Sequence, residues 1–262
     1  RGELALLTDR LSRYIAPQLF LSLADSCDKP ATARKRLTVC FSDIQGFTAL
    51  MDNMEEELLT RILNEYLDAM ATIAIKHGGV VDKFLGDGVM VFFGDPTTRG
   101  VRQDAVAAVT MALEMRQRLQ SLHQEWEQRW GVACPLHIRV GIHSGYCTVG
   151  SFGAENRLDY TIIGSSVNLA SRLETVADTD EILVSEETWQ LVNTDFDGHV
   201  REPVILKGIQ RQQQAVSITG FCTGERQLNY ADQGLQLKVM PRLTDRSRLK
   251  ALLARALGDL ES

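Results

Sequence analysis

VVDKFLGDGVMVFF, residues 80–93, is two apolar, β-favouring runs on either side of Gly86, Asp87 and Gly88, a pattern that reads as a strand–turn–strand hairpin with a carboxylate at its tip. Upstream, Leu58, Leu59, Ile62, Leu63, Tyr66, Leu67, Met70 and Ile73 recur at helical spacing. They predict a helix over 54–77 that stops at Gly78 and Gly79, where glycine tolerates a left-handed turn. Before it, the alternating run LTVCFSD, residues 37–43, reads as a strand. After the hairpin, Ala105, Ala108, Ala112, Met115, Leu119 and Leu122 share one face of a second helix expected over 103–128. Further strands are expected at 136–143, 148–152 and 160–163, followed by a helix at 165–175, a strand at 182–184, a short helix from Ser185 and a closing hairpin through 204–206 and 215–218. The order contains β-α-β-β-α-β with extra strands, so the expected fold is α+β and ferredoxin-like, with helices packed on a mainly antiparallel sheet.

The flanks read differently. Leu4, Leu7, Leu11 and Tyr14 mark an N-terminal amphipathic helix ending near Pro17, and polar residues from Asp25 to Lys35 read as a linker. A terminal stripe of Leu249, Leu252, Leu253, Ala256, Leu257 and Leu260 marks another helix. The expected division is 1–35 as helix and linker, 36–220 as the main domain and 221–262 as an extension. A net charge of −6 argues against coating nucleic acid, which needs a Lys/Arg excess. Cys27, Cys40, Cys134, Cys147 and Cys222 form no C-x-x-C pair and fit neither a zinc site nor a disulfide framework. No run approaches the roughly 18 to 20 apolar residues that cross a bilayer. With Arg1 inside an apparent helix, the expectation is a cytoplasmic fragment of a longer protein that holds an upstream sensor or membrane domain.

Asp43 ends the first strand and Asp87 tips the hairpin. In a β-α-β-β unit the first and third strands pair, so both carboxylates are expected at one sheet edge, a donor set suited to magnesium. Either Asp alone would more often cap a turn, so the surrounding residues decide. FSDIQGFT (41–48) and KFLGDGVM (83–90), with RVGIHSG (139–145) and YTIIGSSVNLASRLE (160–174), resemble the class III nucleotide cyclases over about residues 36–218. Four ordered blocks at compatible spacing are far more specific than one.

The resemblance implies a site. Asp43, Asp87 and the Ile44 carbonyl would hold two Mg²⁺, with Mn²⁺ an expected substitute. Backbone amides at Gly46, Phe47 and Thr48, with Arg139 and Lys207, would hold the triphosphate. Asn168 and Arg172, four apart on one helix face, would orient the ribose and stabilise charge on the phosphates. Lys83 and Thr161 match the purine-reading pair. Lysine can only donate, which suits adenine's ring nitrogen, and a hydroxyl can accept from adenine's amino group. The pair is of the Lys/Thr adenylate cyclase type, implying ATP as substrate and cyclic AMP and pyrophosphate as products. A hydroxyl also donates, which leaves room for GTP. One chain holds both the metal set and the purine set, so the resemblance implies a head-to-tail homodimer with two shared sites. Guanylate cyclase and a cyclase-like module without turnover stay open as alternatives. A docking role for the terminal helix through Arg246, Arg248, Lys250 and Arg255 is weaker than a solvated face.

Overall fold

In the computed structural model, β1 (Ala33–Gln45) and β4 (His137–Ala154) are the spine of an eight-stranded sheet and pair antiparallel from Ala33 opposite Val149 to Gln45 opposite His137. The structure describes residues 32–47, 54–131, 136–154, 157–203, 213–222, 228–232 and 235–239. Both terminal helices read from the sequence, Cys27, Cys134, Thr48 and Lys207 lie outside them. The hairpin strands β2 (Val80–Leu85) and β3 (Gly88–Phe93) flank β1. On the far side of β4 stand β6 (Ile182–Ser185), β8 (Ala215–Phe221) and β7 (Phe196–Val200), with β5 (Arg157–Ile163) also paired to β4. Only the β4–β6 contact is parallel among the described pairs. The chain divides into two compact units, Arg1–Phe221 and Cys222–Ser262; in the second, β9 (Leu228–Asp232) and β10 (Leu235–Val239) form a hairpin. Among the described residues no helix is long and apolar enough to cross a membrane.

Strand alternation sorts the sheet into two faces. Cys40, Ile44, Val89, Val91, Phe93, Ile138, Val140 and Ile142 face α1 (Glu56–Lys76) and α2 (Val101–Trp130) in the larger core. Leu37, Val39, Met90, Phe92, Cys147 and Val149 line the other face with Ala170 of α3 (Ser165–Val176). Asp43 shares the parity of Leu37 and Val39, and Arg139 alternates with Ile138 and Val140, so both fall on the α3 face. The predicted stripes hold: Leu59, Ile62, Tyr66, Met70 and Ile73 are buried on α1, and all six named residues on α2. Gly78 adopts a φ of 84°, and a Cβ on Gly79 would come within 2.7 Å of Val91. Burial pushes the Cys147 thiol up to about 11 and Cys40 to about 12, leaving both inert at neutral pH.

Two expectations are corrected. The strands read at 136–143 and 148–152 are one strand, β4. Its glycines admit α3: a Cβ on Gly141 would lie 2.2 Å from the Glu174 nitrogen and 2.3 Å from the Ala170 oxygen, and one on Gly145 2.4 Å from Ser166 Oγ. Ala33, Arg34 and Lys35, read as linker, belong to β1 because β4 continues beside them to Val149. The described partners of 215–218 are β6 and β7; the other half of the expected hairpin, 204–206, lies outside the described residues. β7, of sequence FDGHV, has no alternation to announce it. A short helix, α4 (Glu186–Val192), starts as expected, with the Ser185 side chain accepting from the Thr188 amide.

Gly141→Ala should destabilise the protein by about 1–3 kcal/mol, because the obstructing atoms are α3 backbone and cannot rotate away. Urea unfolding checks this, and an unchanged midpoint would show that α3 can move off the sheet at no cost.

Candidate active site

The carboxylates meet as the topology requires. β3 lies beside β1 with Val89 opposite Ser42, which brings the hairpin tip to Asp43. Gly86 makes the turn at a φ of 69°. Gly88 allows the close approach, since a Cβ there would sit 3.1 Å from the Ser42 oxygen and 3.3 Å from Asp43 Oδ1. Burial first, and then the charge of Asp43, push the Asp87 carboxyl above the usual carboxylate range; hydrogen bonds from the Asp87 and Ile44 amides pull it back. A carboxylate pair under this strain fits a divalent cation, and two carboxylates with a carbonyl such as that of Ile44 are hard oxygen donors of the kind magnesium takes. Ile44 points its side chain into the core, which leaves its backbone to serve the site.

Arg139 stands directly across β1–β4 from Asp43. Its Nη2 donates to Asp43 Oδ2 at 3.1 Å, and Nη1 donates to the Thr175 carbonyl at 3.3 Å. The same Nη2 lies 3.0 Å from Glu174 Oε1, close enough for an ion pair but without hydrogen-bond alignment. Burial raises the Glu174 carboxyl above its ordinary range; Arg139 opposes this and Asp43 adds to it. The expected phosphate ligand is thus the counter-charge of the carboxylates in this structure. Glu174 has no role in the sequence reading.

Lys83 and Thr161, far apart in sequence, meet through Asp82. Thr161 Oγ1 donates to Asp82 Oδ2 at 2.9 Å, and Lys83 Nζ lies 3.3 Å from the same oxygen. Asp82 is also absent from the sequence reading. Asn168 is exposed and Arg172 half-buried on α3, and neither side chain has a hydrogen bond or ion pair to another described residue. Gly46 turns the chain at a φ of 73° after β1, and the buried Phe47 ring anchors that turn in the core.

This geometry has close counterparts. The family model described as the adenylate and guanylate cyclase catalytic domain matches residues 30–220. The chain belongs to this cyclase family. The crystal structure of the adenylyl cyclase CyaB from P. aeruginosa shares 51% identity and a TM-score of 0.70, covering 72% of this chain and 96% of that one. The guanylyl cyclase Cya2 structure shares 32% identity and a TM-score of 0.68, covering 74% of this chain and 95% of that one. An adenylate cyclase of Anabaena cylindrica is 32% identical over 173 residues, which are 63% of this chain and 33% of the relative. The chain therefore spans about a third of that curated relative's length. Cyclase domains of this family are metal-dependent and bind nucleotides.

Because the folded Asp87 pKa is raised, its favourable contribution is complete below the unfolded pKa and is lost as pH rises through the folded one. Asp87→Asn should therefore raise the thermal midpoint of the metal-free cyclase domain at neutral pH, with the gap closing in acid. A midpoint below wild type at neutral pH would contradict the repulsion between Asp43 and Asp87.

Proposed function

We propose that this chain is the catalytic part of an adenylate cyclase that converts ATP to 3′,5′-cyclic AMP and pyrophosphate. The observation that carries the reading is the carboxylate pair Asp43 and Asp87 in one fold with a Lys83–Thr161 purine pair. The 51% identity to an adenylyl cyclase domain supports the choice of ATP. A second reading, guanylate cyclase, draws on the 32% identity to Cya2 and on the ability of a threonine hydroxyl to donate.

In this reading the ribose 3′-oxygen attacks the α-phosphorus in line, and the bond from that phosphorus to the bridging oxygen of the β-phosphate breaks. Two magnesium ions, held by Asp43, Asp87 and the Ile44 carbonyl, would acidify the attacking hydroxyl and offset the charge of the triphosphate. Lys83 donates to the adenine ring nitrogen and Thr161 accepts from the amino group. Asn168 orients the ribose, and the Arg172 guanidinium meets charge developing on the phosphate oxygens. Amides of Gly46, Phe47 and Thr48 take the phosphate tail together with Lys207 and Arg139. Arg139 turns from Asp43 to the phosphates once the carboxylates have another counter-charge.

The purine and metal sets belong, in this proposal, to opposite protomers of a homodimer. Phe84, Leu85, Tyr146 and Ile163 support it, since they expose 48%, 49%, 58% and 51% of their surface on β2, β4 and β5. Cytoplasmic location and an upstream sensor or membrane domain are part of the same proposal, in keeping with relatives of which the matched segment is only 33% and 21%.

Incubation with Mg²⁺ or Mn²⁺ and equimolar ATP and GTP, followed by chromatography, should yield cyclic AMP as the main product. Asp43→Ala should lower kcat by about a hundredfold or more with unchanged circular dichroism. Cyclic GMP as main product would favour the second reading, and full activity of Asp43→Ala would overturn the metal assignment.

A further inference from the structure

Lys83 and Thr161 leave one question of chemistry open, because a threonine hydroxyl can either accept from adenine's amino group or donate to guanine's carbonyl. The direction of that hydroxyl decides which purine the site favours, and the structure contains a residue that sets it. Asp82 has no solvent-exposed side-chain surface, although the neighbouring Lys83 side chain is 43% exposed. The β2–β3 register slips between Val81 and Lys83, so Asp82 occupies a bulge. Bulges re-aim side chains that regular alternation would send to opposite faces. The result is that Asp82 reaches Thr161 on β5 while the adjacent Lys83 reaches the same Asp82 oxygen.

We propose that Asp82 sets base specificity by taking the hydroxyl hydrogen of Thr161, which leaves Thr161 only lone pairs to present to the purine. The inference rests on the purine-reading role of Lys83 and Thr161 given above. A carboxylate is acceptor-only, so the 2.9 Å contact has one polarity: Thr161 donates and Asp82 Oδ2 accepts. Asp82 Oδ1 is buried and has no hydrogen-bond partner among the described residues. The carboxylate therefore has acceptor capacity to spare and gives Thr161 no alternative. With its hydrogen committed, the Thr161 oxygen welcomes an amino group and repels a carbonyl oxygen. The same Asp82 oxygen draws the Lys83 ammonium to within 3.3 Å, which fixes the donor of the pair beside the acceptor. Asp82 touches neither Asp43 nor Asp87 in any described contact, so its effect falls on base choice and not on phosphoryl transfer. It is a positioning residue acting through Thr161.

The test is the ratio of kcat/KM for ATP to that for GTP in wild type, Asp82→Asn, Thr161→Val, Thr161→Ser and the Asp82→Asn/Thr161→Val double variant. An asparagine amide can donate to Thr161 and release its hydroxyl toward guanine, so Asp82→Asn should cut the ratio about tenfold, equivalent to one decade of binding. Thr161→Ser should keep the wild-type ratio. Thr161→Val should lose it to a similar extent, and adding Asp82→Asn to Thr161→Val should change it less than twofold. An unchanged ratio in Asp82→Asn, or an equal further drop in the valine background, overturns the proposal. If Asp82→Asn does not fold, equal ratios for Thr, Ser and Val at position 161 overturn it instead. The same ratios from equilibrium binding of non-cyclisable ATP and GTP analogues keep the inference separate from the catalytic reading. ATP-selective binding that depends on Asp82, in a protein without turnover, supports the inference and contradicts the catalytic reading.

Discussion

Two carboxylates pressed together at the end of a sheet cannot both stay charged without positive charge nearby, and Asp43 and Asp87 impose that demand on everything around them. Three features hold the pair in place against its own repulsion. β1 and β3 are hydrogen-bonded neighbours, so the hairpin tip cannot swing away from Asp43 without breaking the ladder. Gly88 removes the side chain that would otherwise wedge the tip apart. Arg139, directly across the next strand pair, supplies the nearest cation and is itself tied to Thr175 and Glu174 at the end of α3. The cost of bringing like charges together is thus spread over a sheet, a turn and a helix terminus.

The same demand explains why the two faces of the sheet are built so differently. The α1 and α2 face is filled with aliphatic and aromatic side chains, and Tyr66, Met70, Met111, Met115 and Trp126 are buried there almost completely. That layer secures the fold and carries none of the proposed chemistry. The α3 face trades packing for access: glycines at 141 and 145 let the helix backbone approach β4, and Asn168 and Arg172 ride on the helix so placed. A rigid, oily side fixes the strands, and a closer, more polar side uses them.

Much of this was legible in the sequence because it follows from periodicity and topology. The stripes of α1 and α2 repeat at helical spacing, and the meeting of Asp43 with Asp87 follows once a β-α-β-β unit is recognised. What was illegible depended on contacts without a local signature. Asp82 was passed over, since a bulge, invisible in sequence, brings it to Thr161. Glu174 had no role in that reading because nothing nearby in the chain announces that Gly141 admits α3 to Arg139. The expected strands at 136–143 and 148–152 left a gap that β4 runs through, and β7 lacked any alternation to read.

In the proposed enzyme a working site is assembled from two chains, with the carboxylates from one and the α3 residues from the other. Mixing Asp43→Ala chains with Arg172→Ala chains, each inactive alone, tests it most directly. A mixed dimer would carry one site with both defects and one with neither. Random pairing should therefore restore about a quarter of the wild-type rate per site. A mixture that stays inactive although the two chains demonstrably form mixed dimers would contradict the shared site and place the whole reaction within a single chain.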